Sequence, residues 1–266
     1  MKTLITVYLF LISGIVYGQT ISTDAPSVSA SATSVEKNVF QIESSFDYNY
    51  NENSYGLTLP FNLLKFGITD KIELRHTHSL VMYQSEFQNA LEIDLDALGF
   101  GAKYAFFDSK NGNTQIGAIA QWEISPQSTP ANTFSGVLAL NHSLAEDHSL
   151  GFNLGSSYRI QKNDPHYRSS TIGVMSSLMY AYSFGERWSA FIEAYTNYFK
   201  GETVLDGGSD FDFEFETMNY SGDVGILFLL KDNIQLDYVF GFGLGPDNRN
   251  YFHSLGFNIM LNHKKD

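Results

Sequence analysis

Bulky and small side chains alternate along almost the whole chain after residue 38. The clearest case is GDVGILFLLKDNIQLDYVFGFG, residues 222 to 243. Val224, Ile226, Phe228 and Leu230 share one phase, and Ile234, Leu236, Tyr238, Phe240 and Phe242 continue it after Lys231-Asp232-Asn233. The opposite phase holds Asp223, Gly225, Gln235, Asp237, Gly241 and Gly243. Successive side chains on a strand point to opposite faces, so this is a hairpin with one greasy face and one mostly polar face.

The same period of two recurs along the chain. Phe40, Ile42, Phe46, Tyr48 and Tyr50 oppose Gln41, Glu43, Ser45, Asp47 and Asn49. Ile72, Leu74 and Leu80 oppose Lys71, Glu73, Arg75, Thr77 and Ser79; Leu98, Phe100, Ala102 and Tyr104 oppose Gly99, Gly101 and Lys103. Residues 114–124, 133–144, 149–160, 171–184, 188–199 and 251–261 repeat the pattern, whereas residues 55–66 lose phase at Asn62 and Leu63. No stretch keeps a helical period over several turns. The spacing predicts about 12 strands, most near the ~9–11 residues that a tilted strand needs to cross a bilayer.

Alternation alone also fits a soluble sandwich. Three further features favour a membrane. Charges sit in mid-strand on the small-residue face: Glu73, Arg75, Lys103, Glu123, Arg159, Glu193, Asp223 and Asp237. The connections alternate in length. Short ones (67–70, 108–113, 145–148, 185–187, 231–233) lie between longer or more polar ones (51–54, 83–94, 125–132, 161–170, 200–216, 246–250). Short turns at one end and long loops at the other are the outer-membrane pattern. Tyr48, Tyr50, Tyr104, Trp122, Tyr158, Tyr182, Trp188, Tyr198 and Tyr238 recur near strand ends, where interfacial girdles belong. The greasy face is therefore expected to meet lipid. A closed antiparallel barrel then pairs every backbone group, and an even strand count puts both chain ends in the periplasm.

Composition fits this frame. The 266-residue chain is 15% aromatic, contains no Cys and carries a formal net charge of -13. The acidic balance argues against nucleic acid as a partner. No metal spacing based on Cys and no phosphate-binding glycine loop occurs, so no cofactor or metal is expected. A secreted chain without disulfides needs another closure, which a barrel supplies. The start, MKTLITVYLFLISGIVYGQT, reads as a signal peptide over residues 1–18: Lys2, an apolar run, then Tyr17-Gly18. Residues 19–37 are small and polar and are expected to form an extended periplasmic segment, with the barrel at 38–262 and a tail at 263–266.

The last strand, Ser254-Leu255-Gly256-Phe257-Asn258-Ile259-Met260-Leu261, is similar to the C-terminal signal that the barrel-assembly machinery reads. It ends in Leu261 rather than an aromatic and is followed by NHKKD.

Several short motifs occur in order. Thr23-Asp24-Ala25-Pro26 precedes Val35 and Gln41-Ile42-Glu43; Gly67-Ile68-Thr69-Asp70 precedes Ile72-Glu73-Leu74-Arg75. Gly101-Ala102-Lys103-Tyr104 follows, and the close is Asp223-Val224-Gly225, then Asn233-Ile234-Gln235-Leu236-Asp237, Gly241, Gly243 and Gly256. In these the chain resembles the outer-membrane family named for the MetA pathway of phenol degradation. Ala25 stands where the family has Arg, so a role for that Arg does not carry over. The resemblance implies an outer-membrane barrel, and the family name suggests transport of aromatic or other small hydrophobic compounds.

The charges of the small-residue face allow two readings. They line a polar path that selects a solute by charge, or they pair across the lumen and fill it. The first makes the protein a porin-like passive transporter embedded in outer-membrane lipid; the second makes it a structural or surface-interaction barrel. Asp206, Asp210, Asp212, Glu214 and Glu216 alternate with Phe in an acidic extracellular loop that lacks the calcium-loop spacing, and an exposed loop or strand extension explains them. His76 and His78 share the lipid-facing phase. In His78-Ser79 and His142-Ser143 the two side chains point to opposite faces, so neither pair is a working dyad and no covalent chemistry is expected.

Overall fold

The computed structural model describes residues 21–24, 27–51, 54–85, 92–126, 130–164, 167–205, 213–245 and 250–261. The proposed signal peptide and the tail at 263–266 lie outside them. Among the described residues are twelve strands: β1 (Phe40–Asn51), β2 (Ser54–Thr69), β3 (Ile72–Ser85), β4 (Glu92–Asp108), β5 (Thr114–Ser125), β6 (Ala131–Ala145), β7 (His148–Asp164), β8 (Tyr167–Ser183), β9 (Trp188–Leu205), β10 (Phe213–Lys231), β11 (Ile234–Leu244) and β12 (Tyr251–Leu261). Each pairs antiparallel with its sequence neighbours, and β1 pairs with β12 from Phe40↔Leu261 to Tyr50↔Tyr251 to close the barrel.

The two faces separate as the alternation requires. Outward on β6 to β10 are Leu138, Leu154, Ile172, Leu178, Ile192, Val224 and Ile226, all exposed. Aromatics gather near both rims. Tyr182, Phe184 and Trp188 stack in sequence at the short-turn end, where Phe228 meets Trp188 at a tilt, and Trp122 stacks on Phe134 towards the long-loop end. A wide apolar surface of this kind on a closed sheet is stable only against hydrocarbon. The inward face holds Gln41, Glu43, Lys65, Glu73, Lys103, Asn153, Glu193, Asp223 and Asn258, all buried.

The phase loss near Asn62 has a local cause. The ladders of β2 shift register between Thr58 and Phe61 on the β3 side and opposite Ser45/Asp47 on the β1 side. Pro60 lies in this interval and has no N–H to give a ladder. Beyond the bulge the inward residues are Leu63, Lys65 and Gly67.

Two loops expected from sequence are largely strand. Residues 161–164 continue β7 and 167–170 belong to β8, paired from Gln161↔Ser169 to Asp164↔Tyr167, and residues 200–205 and 213–216 continue β9 and β10. Long polar strands can rise above the bilayer without losing their pairing.

The segment before β1 departs most from expectation. Residues 21–24 and 27–39 do not extend below the barrel; they run inside it. Ala30 N–H donates to Asn153 Oδ1 at 2.7 Å and its carbonyl accepts from Asn153 Nδ2 at 3.1 Å; Ala32 N–H donates to Asn141 Oδ1 at 3.0 Å. Val28 N–H donates to Glu193 at 3.1 Å, and Val35 N–H to Glu73 at 2.8 Å. Buried amides need partners, and the inward side chains supply them. The wall is thinned to admit the segment: a Cβ at Gly117 would collide with the Ala32 carbonyl, and one at Gly67 with the carbonyls of Val35 and Glu36. The segment joins β1 through Asn38, whose φ of 64° turns the chain into the wall while its N–H donates to the Gly67 carbonyl at 2.8 Å.

Candidate lumen site

Neighbouring strands bring together part of the expected lumen set. Glu73 and Arg75 are two apart on β3 and point inward together. Lys103 of β4 lies directly opposite Glu73, and Lys65 of β2 directly opposite Arg75. Lys65 and Glu43, near the same end of the barrel, are in direct ionic contact.

Into this cluster the lumen segment inserts Asp24, whose side chain is 2% exposed. Arg75 donates to Asp24 Oδ2 at 2.5 Å, and Lys103 Nζ lies 2.8 Å from Oδ2 and 3.1 Å from Oδ1. Lys65 Nζ is 3.6 Å away. Ser31 N–H donates to Oδ1 at 2.6 Å, and Asp24 N–H donates to Glu43 at 2.9 Å. Burial acts to push the Asp24 carboxyl up, but Lys103, Lys65 and Arg75 outweigh it and hold the group well below the usual carboxylate range. Arg75 also donates to Glu73 at 2.8 Å.

The opposite wall is acidic. Glu193 of β9 and Asp223 of β10 are direct cross-strand partners. Glu193 accepts from Val28 N–H and Ser29 Oγ–H, whereas neither oxygen of buried Asp223 has a hydrogen-bond partner among the described residues. Asp237 of β11 stands apart and accepts from Asn258 Nδ2 at 2.5 Å. Glu123 accepts from Gln121 at 3.3 Å in the long-loop half. Arg159 is exposed and lies outside the buried cluster. The segment thus crosses from a cationic wall at β2–β4 to an acidic wall at β9–β10 and returns past β7 and β6. Beside it lies a cavity of about 290 Å³, lined by Ile21, Ser22, Thr23, Ser29, Ala30, Ser31 and Thr33 of the segment and by Gln115, Asn141, Gly151 and Met179 of the wall.

The remaining sequence candidates resolve differently. Asp206, Asp210 and Asp212 lie outside the described residues. Glu214 and Glu216 are exposed on the extension of β10, opposite Glu202 and Lys200. His76 and His78 stack with ring centroids 5.4 Å apart on the outward face. His76 Nδ1 meets the Gly99 carbonyl at 2.8 Å, and His78 Nε2 meets Asn62 at 3.1 Å, which itself accepts from Ser44. Each ring thus has one polar partner on the outward face, while His78 Nδ1 has none among the described residues. His142 pairs with Thr114 at 2.9 Å, not with Ser143. Among the described residues, no group of three or more His, Cys, Asp or Glu could hold a metal ion.

Sequence reasoning missed Asp24. Its signal was present: the lone charge among residues 19–35, followed by a barrel whose inward face carried both cations and glycines.

Comparison with known proteins agrees with this architecture. Residues 23–261 match the family described as "Putative MetA-pathway of phenol degradation". Among curated proteins none matches the chain. An outer-membrane channel from Pseudomonas putida F1 superposes with a TM-score of 0.67 at 11% identity, covering 86% of this chain and 98% of that one. The NanC porin gives 0.55 at 7% identity (83% and 100% covered), and the transport unit of the autotransporter AIDA-I from Escherichia coli gives 0.53 at 12% (94% and 97%). Such identities establish a shared fold. The closed sheet and its apolar belt place the chain in the bacterial outer membrane. With the family model matched from the lumen segment to the final strand, this chain belongs to the family named for the MetA pathway of phenol degradation.

Proposed function

We propose that the protein is a passive outer-membrane channel for small solutes, with its N-terminal segment as the constriction and the inward charges as its polar lining. The observation that carries this reading is the cavity of about 290 Å³ between segment and wall. A cavity of roughly 150 Å³ accommodates benzene, so this one has room for a molecule built on a single aromatic ring. Its hydroxyl and amide groups favour a solute with a polar end. The family name and the channel from Pseudomonas putida F1 support the same reading. No covalent step is part of it. Lipid surrounds the belt, and the barrel-assembly machinery would read β12.

The segment itself favours a second reading, a structural barrel with a filled lumen. Purified protein in liposomes separates the two. We expect osmotic swelling with one-ring solutes and not with disaccharides, and faster, less selective flux once residues 21–38 are deleted. We also expect Arg75→Ala and Asp223→Asn to change flux or ion selectivity. If neither the intact chain nor the deletion passes any solute, the channel reading is wrong and the filled barrel stands.

A further inference from the structure

We propose that Lys65, Arg75 and Lys103 form a carboxylate-binding site of the channel, filled in the closed state by Asp24 of the chain's own segment, which a small organic monocarboxylate displaces. This rests on the channel reading and names its solute class.

The charge balance comes first. The wall supplies three cations and two contacting acids, Glu43 and Glu73. Asp24 provides the third negative charge. Without it the cluster holds one surplus buried cation, which is strongly unfavourable. The wall alone therefore demands a monoanion.

Arginine geometry adds to this. Asp24 and Glu73 both use one terminal nitrogen of Arg75, and Arg75 Nε, buried, has no hydrogen-bond partner among the described residues. A free carboxylate can lie flat against the guanidinium edge and take two donors. Asp24, fixed by its backbone contacts to Glu43, does not.

Access follows from the cavity. It is lined by Ser22, Thr23 and Thr33, and the same ammonium groups reach those residues: Lys65 donates to the Ser22 carbonyl at 3.2 Å and Lys103 to the Thr33 carbonyl at 3.1 Å. A solute in the cavity is thus one residue from Asp24. Among the described residues Lys65, Arg75 and Lys103 are the buried cations, and the opposite wall at Glu193 and Asp223 offers none, so a carboxylate turns towards β2–β4. The segment can yield because its described contacts with the wall are mostly backbone to side chain, with a single ladder-type bridge at Lys37↔Gly67.

The test compares benzoate with benzyl alcohol, its neutral counterpart, on the mature chain, Asp24→Ala, and Asp24→Ala combined with Arg75→Gln. In Asp24→Ala we expect benzoate to raise the thermal unfolding midpoint, with no rise in the double variant. In liposomes the flux ratio of benzoate to benzyl alcohol should increase about tenfold over the unsubstituted chain, a change of ~1.4 kcal/mol in relative preference. The unsubstituted chain gives a reading that needs no variant to fold: benzoate, not benzyl alcohol, should speed hydrogen exchange at the Ala30 and Ala32 amides. The proposal is overturned if the two solutes act alike in all three measurements. If neither solute crosses but benzoate still shifts the midpoint of Asp24→Ala, the channel reading fails while the carboxylate site is supported.

Discussion

At the scale of single residues, the junction between segment and barrel hangs on one conformation. Asn38 has a φ of 64°, where most side chains meet the carbonyl that follows. Asn tolerates this region better than β-branched or bulky residues do. The residue cannot relax to negative φ without losing its N–H bond to Gly67 and withdrawing the segment from the wall. We therefore expect Asn38→Ala to lower stability by about 1 kcal/mol and Asn38→Gly to be neutral or slightly stabilising. Urea titration of protein folded into vesicles would measure both. An equal loss in both variants would mean that the Asn38 side chain, not the backbone, is what matters. Residue-scale legibility was uneven. Glu73, Arg75, Lys103, Glu193, Asp223 and Asp237 were readable as inward because a period of two leaves only two faces. That Asp24 joins two of them, Arg75 and Lys103, together with Lys65 was not, because it requires contacts 41 to 79 residues apart in sequence.

At the scale of elements, the segment explains why the inward face is so rich in small residues. Gly67 and Gly117 are hollows for the backbone of residues 32 to 36, not markers of weak strands. The sequence pattern located the strands themselves because alternation is a local signal. It placed residues 19–37 outside the barrel because a stretch of Ser, Ala and Thr carries no period from which a partner can be read. It lost phase at 55–66 because a bulge inverts the faces midway. The segment's hydrogen bonds make its order measurable. The amides of Val28, Ala30, Ala32 and Val35 each donate to a wall side chain. We expect them to exchange more slowly than the amides of the exposed turn at Asn111–Asn113. Asn153→Ala should accelerate exchange at Ala30 in particular, since that amide loses its acceptor; the loss of one such bond is worth about 1 kcal/mol. Uniformly fast exchange along the segment in the intact protein would show that it does not reside in the lumen.

At the scale of the whole molecule, the barrel has exchanged the usual places of core and surface. Its most apolar face is exposed, and a cluster of charged residues is buried in its lumen. In water this would be an aggregating sheet; in a bilayer it is the one arrangement that pairs all ladder groups and hydrates none of them from lipid. Depth along a strand then sets the cost of a charge. Leu138 lies at the middle of β6 and is 51% exposed, while Leu144, in the same outward phase, lies one residue from the short turn after Ala145. If hydrocarbon covers this face, Leu138→Lys should destabilise the barrel by roughly 2–4 kcal/mol and Leu144→Lys by at most about 1 kcal/mol, because a lysine near the interface reaches the headgroups. Reversible urea titration in lipid vesicles of defined thickness reads both. The contrast between the two positions, more than either value, carries the argument: aqueous exposure would make both substitutions nearly neutral, and burial in a protein interface would penalise them without regard to depth.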